Sequence, residues 1–163
     1  MTVLEQARAM LEELTPLWMD CGRVCGGACC HSMEGEETGM RLFPGEEKLY
    51  ADLPDYQVRP SPIGYLLVCK GKCERHMRPL SCRIFPLLPL IREDGIKVAM
   101  DARAKAVCPL AWQGKNALNP DFVEAVGRVG ELLISEPAQV GFLLRLTEEH
   151  DQLRELRRKF TGR

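Results

Sequence analysis

The stretch PLLPLIREDGIKVAMD, residues 86–101, decides the fold class. Two apolar runs flank the pair Asp94-Gly95, and an Asp-Gly pair suits the two-residue type I′ turn of a β-hairpin. Pro89 cannot donate to a strand ladder, so the first strand belongs at an edge. Helical periodicity lies at both ends of the chain, and cysteines fill the segment between.

After the hairpin, Asn119, Pro120 and Asp121 read as N-cap, first helical residue and first-turn acid. Phe122, Val126, Val129 and Leu133 then form one apolar face. Pro137 breaks this helix and can start the next, where Leu143, Leu146, Leu153, Leu156 and Phe160 fall on one side. The ending RELRRKFTGR reads as a solvated helix terminus whose basic residues suit the macrodipole. His150, on this charged helix, is expected at the surface.

Before the hairpin, Thr2 and Glu5 make a capping box. Val3, Leu4, Ala7, Met10, Leu11, Leu14 and Leu17 follow helical spacing until Pro16 ends or kinks the helix. Residues 21–45 read as loop. A short helix is expected from Pro44 to about Leu53, with Glu46 and Glu47 facing its macrodipole. Residues 54–64, with three prolines, should be irregular, and Tyr65 to Cys69 should be a strand.

The whole chain has 163 residues, 45% of them hydrophobic and 28% charged, with a net charge of −1. These values fit one globular domain and leave no global field to recruit nucleic acid or an anionic membrane. No apolar run approaches the roughly 20 residues of a membrane helix. The opening MTVLEQARAMLEEL has acids at Glu5, Glu12 and Glu13 and does not read as a signal peptide. A cytoplasmic protein is expected, with neither nucleic acid nor membrane as partner.

That compartment bears on the eight cysteines: Cys21, Cys25, Cys29, Cys30, Cys69, Cys73, Cys82 and Cys108. The cytosol keeps structural thiols reduced. Eight cysteines in 163 residues also fall below the roughly 8–10% of a disulfide scaffold. Four of them stand within CGRVCGGACC, residues 21–30. All eight lie between 21 and 108, where periodicity is weak and another source of stability is needed. Metal binding can supply it, since four thiolates satisfy a tetrahedral zinc or an iron–sulfur cluster. Gly22, Gly26 and Gly27 let the backbone wrap closely around such a centre. Zinc sites favour Cys-x2-Cys knuckles, which this chain lacks, so iron–sulfur ranks ahead of Zn2+. His31 and His76 could each replace a cysteine, although a bystander role leads for both.

The second signal is RHMRPLSCRIFPLLP around Cys82. CGGACC followed downstream by RPLSCRIFP resembles the YkgJ-type cysteine-cluster family, described as zinc- or iron-chelating, or iron–sulfur-containing. The resemblance implies a small cytosolic, mostly bacterial protein whose cysteines chelate metal. Arg78, Pro79, Cys82, Arg83, Phe85 and Pro86 match the family's Arg-Pro-x-x-Cys-Arg-x-Phe/Tyr-Pro group. The first group departs from the family, with three residues between Cys25 and Cys29 where two are expected. The match covers about residues 21–110, and Cys29, Cys30, Cys69, Cys73, Cys82 and Cys108 carry over as ligands. Four thiolates on a divalent ion leave a negative charge, which Arg78 and Arg83 could offset by donating hydrogen bonds to sulfur. A carboxylate partner such as Glu74 is the competing role for either arginine.

The expected architecture is α+β: one small, mostly helical domain, 1–163, with a cysteine-rich loop core and a short β-hairpin. Residues 21–110 form the metal-binding core, and 1–18 and 119–160 supply the packing helices. The expected function is chelation of an iron–sulfur cluster, of the four-iron type, or of iron, serving electron transfer or metal handling. One alternative is a structural zinc module that mediates a protein interaction with an undefined partner. Another is a cluster-dependent methyltransferase, because a flagellin lysine N-methylase resembles this family in its cysteine groups. No Gly-rich cofactor fingerprint follows a strand here, and no catalytic residue is assigned.

Overall fold

The computed structural model describes residues 1–19, 21, 39–69 and 73–162. The chain is a small α+β domain built from two antiparallel sheets and flanking helices. Strands β4 (Leu87–Arg92) and β5 (Gly95–Met100) form the expected hairpin, with Pro89 paired to Val98. The turn sits one residue earlier than the Asp-Gly pair suggested, because Arg92 pairs with Gly95 and leaves Glu93 and Asp94 as the loop. Within this turn positive φ falls on Gly95, at 121°, and not on Glu93 or Asp94, which excludes type I′. The glycine instead opens β5 directly after the turn, at a φ that a side chain rarely adopts.

Helix α1 (Val3–Met10) starts with the expected capping box, Thr2 and Glu5 satisfying each other's backbone amides. It stops well short of Pro16. Arg83 donates to the Arg8 carbonyl at 3.0 Å and to the Glu12 carboxylate, and Arg75 donates to the Glu12 carbonyl at 2.8 Å. These tertiary donors take up carbonyls at the helix end and pull the following residues out of helical register.

Two strands lie where loop was expected. Strand β1 (Met40–Leu42) and strand β2 (Tyr56–Pro60) pair on either side of β3 (Tyr65–Cys69) in the order β1-β3-β2. Pro60 is tolerated because it ends an edge strand. Leu42, Tyr50 and Leu67 bury a small core under this sheet, so the central segment does hold apolar surface of its own. The helix after Pro44 shrinks to one turn, α2 (Glu47–Tyr50).

The main core lies between the hairpin and the helices. Helix α3 (Leu80–Ile84) precedes the hairpin, and α4 (Pro120–Leu133) and α5 (Pro137–Thr161) follow it. Asn119 caps α4 as expected, its side chain accepting from the Asp121 amide. Phe122, Val126, Val129 and Leu133 are all buried against Leu87, Leu88 and Leu90 of β4. Gly130 permits this approach: a Cβ there would stand 2.7 Å from Pro89 Cβ and 2.8 Å from Ile96 Cγ2. Helix α5 covers the other edge of β4, where Thr147 accepts from the Ile91 amide and Asp151 pairs with Arg92.

Two expectations for α5 are corrected. His150 is buried, its Nδ1 accepting from the Ala102 amide at 3.2 Å, because α5 crosses the chain just after the hairpin. Leu143 and Leu146 are buried, but Leu156 and Phe160 are exposed, because the helix outruns the body it packs on. Among the described residues, no helix is long and apolar enough to cross a membrane.

Candidate functional site

Cys21, Cys69, Cys73, Cys82 and Cys108 all line one cavity of about 120 Å³. They arrive from separate segments: the chain after α1, the end of β3, the approach to a 3-10 turn at Arg75–Met77, helix α3, and the start of a 3-10 turn at Pro109–Gln113. A space of this size far exceeds the roughly 10–15 Å³ that one water occupies.

Strand geometry explains the first wall. Side chains two apart on a strand share a face, so Leu67 and Cys69 point the same way. Their cross-strand partners, Met40 for Leu67 and Tyr56 for Cys69, stand on that face too. All four line the cavity. Burial pushes the Tyr56 hydroxyl above its ordinary value, and negative charge on Cys73 and Cys69 pushes it further.

The second wall is the RPLSCRIFP segment. Pro79 precedes α3, the Phe85–Pro86 peptide is cis, and Cys82 lies in the helix between these prolines. Helix α3 is fixed from two sides. Ser81 donates to the Arg41 carbonyl of β1. Glu46 accepts from the Leu80 amide at 2.7 Å and from the Phe43 amide at 3.0 Å. Glu46 is fully buried, not a surface acid at a helix start, and Arg8 donates to it at 2.7 Å. Burial pushes the Glu46 carboxyl up, and the Leu80 amide, Arg8 and the Phe43 amide pull against it. Its oxygens face three donors, which favours the ionised form. Burial works against the Arg8 charge in turn, but Tyr50 and Glu46 more than offset it. Tyr50 completes the group, donating to the Met77 carbonyl at 2.6 Å, and burial holds its hydroxyl up at about 12.

Arg83 is buried and heavily committed. Its Nε donates to the Arg78 carbonyl at 2.9 Å and its other nitrogens reach the Arg8 carbonyl, the His76 carbonyl and Glu12. The carboxylate partner is therefore Glu12, across 71 residues of sequence, and not Glu74, which faces His76 in an exposed pair. Arg83 pulls Glu12 below the usual carboxylate range. Arg78 lines the cavity as well.

Sequence reasoning overlooked Arg75. It lines the same cavity, and its Nη2 is buried with no hydrogen-bond partner among the described residues. Its place two residues after Cys73 was the available signal. Cys25, Cys29, Cys30 and His31, all singled out above, lie outside the described residues. His76 is exposed and paired with Glu74. Among the described residues, no three His, Cys, Asp or Glu side chains are grouped closely enough to hold a metal ion.

Thiols are nevertheless the donor type that a thiolate-bound centre would take. Thiols from distant segments line one cavity, and a buried guanidinium nitrogen of Arg75, which lines it too, has no hydrogen-bond partner among the described residues. An anionic occupant would satisfy that donor. Compared with family models, curated proteins and solved structures, the chain finds no match.

Proposed function

We propose that this chain is a cytoplasmic metal-binding protein that holds an iron–sulfur cluster through its cysteines, as its resemblance to the YkgJ-type family implies. One observation carries the reading: five thiols, spread over almost ninety residues of sequence, line a single cavity. A hydrophobic core has no need to bring cysteines together in this way, whereas metal ligation requires it.

Cys21, Cys69, Cys73, Cys82 and Cys108 are the ligand candidates on the cavity wall, and Cys25, Cys29 and Cys30 are candidates by sequence. Such a cluster, when bound, supplies one-electron redox chemistry. The protein's part is to hold the thiolates, shield them with Leu67, Met40 and Phe85, and compensate their charge. Zinc bound by the same thiolates, as a structural module for a protein partner, is the competing assignment.

Anaerobic purification with a visible spectrum and elemental analysis tests the reading. A brown protein with a broad absorption from thiolate-to-iron charge transfer and matching iron supports the cluster. Colourless protein with stoichiometric zinc replaces it with the structural module. Protein that holds neither metal, and takes up neither on reconstitution, refutes both.

A further inference from the structure

Three arginines line the cavity: Arg75, Arg78 and Arg83. A guanidinium has five N–H donors, and Arg83 spends four of them on carbonyls and on Glu12. It ties the end of α1 to the segment that carries Cys82. Little of its donor capacity remains for anything inside the cavity.

Arg75 is arranged differently. Its Nε donates to the Glu12 carbonyl at 2.8 Å, which fixes the guanidinium against the wall. Its Nη2 is buried and has no hydrogen-bond partner among the described residues. A buried donor without an acceptor is costly, and a charged one more so. Such a group calls for an explanation, and an ion or ligand that accepts from it is one. The thiols that line the same cavity supply the matching chemistry. Once deprotonated and bound to metal they carry net negative charge, and N–H groups that donate to coordinated sulfur stabilise it.

We infer that Arg75 is the positioning residue that neutralises the thiolate-bound centre, donating from Nη2 to its sulfur, while Arg83 is a clamp of the fold. The inference rests on the metal-binding reading. It moves the compensating role from Arg83 to an arginine outside the RPLSCRIFP segment.

The test is metal release. Wild type, Arg75→Met and Arg75→Lys are purified anaerobically, loaded with the metal that wild type carries, and challenged with excess chelator. Both variants lose the Nε bond to the Glu12 carbonyl, but Arg75→Lys keeps the positive charge. Arg75→Met should release metal about tenfold faster or more, the usual scale for losing a partner of a metal ligand. Arg75→Lys should stay close to wild type. Equal release from Arg75→Met and wild type would overturn the inference. Equally fast release from both variants would also overturn it, leaving only the structural bond to Glu12. Should Arg75→Met fail to fold, Arg75→Gln tests the same loss of charge with a polar side chain. A wild type that takes up no metal would remove the metal-binding reading and the inference together. A loaded wild type with an indifferent Arg75→Met removes the inference alone.

Discussion

Replacing Glu46 with glutamine probes the support beneath Cys82. Glu46 is fully buried, with Oε1 accepting from Arg8 and from the Leu80 amide and Oε2 accepting from the Phe43 amide. Glutamine keeps one oxygen, which can serve Leu80 and Arg8. Its amide nitrogen then meets the Phe43 N–H, donor against donor. Leaving that buried N–H without an acceptor costs about 1–3 kcal/mol. The bond to Arg8 loses its charge on one side, which costs about 1 kcal/mol more. Glu46→Gln should therefore destabilise the fold by about 2–4 kcal/mol, out of a total of about 5–15 kcal/mol for a domain of ordinary stability. Arg8→Met breaks the same pair from the other side and leaves a buried carboxylate uncompensated, at about 3–5 kcal/mol. The two residues touch, so the double variant should cost less than the sum of the singles. Guanidinium unfolding followed by circular dichroism, on samples of matched metal content, measures all four proteins. The thermal midpoint should fall by about 2–4 °C per kcal/mol. A Glu46→Gln protein within about 0.5 kcal/mol of wild type, the range of an ordinary surface substitution, would refute the buried network. Strict additivity in the double variant would refute the pairing.

Four further outcomes are expected. Gly130→Ala should destabilise, because its Cβ would press within 2.8 Å of Pro89 and Ile96, and overpacking of this kind costs about 1–3 kcal/mol. Gly141→Ala, in open space on α5, should instead stabilise by about 0.5–1 kcal/mol, and thermal melts that move both variants the same way would contradict the packing of α4 on the hairpin. Burial holds His150 below its ordinary value against the pull of Asp101, with Arg154 and Arg92 on the same side as burial and Asp151 opposing. Its contribution is complete above about pH 6.5 and is lost as pH falls from there toward the folded value, because the unfolded chain takes up the proton first. His150→Asn keeps an acceptor for the Ala102 amide and should lose less stability than wild type between pH 7 and 5, and identical pH slopes would exclude His150 as the titrating group. Cys82→Ser should lower metal content and solubility together, and an unchanged metal stoichiometry would remove Cys82 from the ligand set.

Some of this molecule was plain in the sequence because the signals are local. The Thr2–Glu5 box, the Asn119–Pro120–Asp121 helix start and the short apolar run that makes Tyr65–Cys69 a strand each depend on residues a few positions apart. The hairpin was legible for the same reason, although its turn shifted by one residue because pairing of Arg92 with Gly95 leaves positive φ to the glycine. Strands β1 and β2 were hidden. Three residues are too few to show a period, and the prolines around β2 read as breakers until its place at a sheet edge makes them harmless.

Amino-acid order by itself determined the α+β class, the helix starts at Val3, Pro120 and Pro137, and the presence of an unusual number of thiols in a little over half of the chain. Only the tertiary structure decided which side chains meet. Glu46 looked like a helix-start acid and became the buried acceptor under α3, because Arg8 and two amides converge on it from distant segments. Arg83 went to Glu12 rather than to Glu74, and Arg75 came to line the cavity that the thiols line. His150 turned inward because α5 crosses Ala102 at that residue. Charge and hydrogen-bond partners are chosen by proximity in space, and sequence spacing reports proximity only within one helix turn or one strand pair.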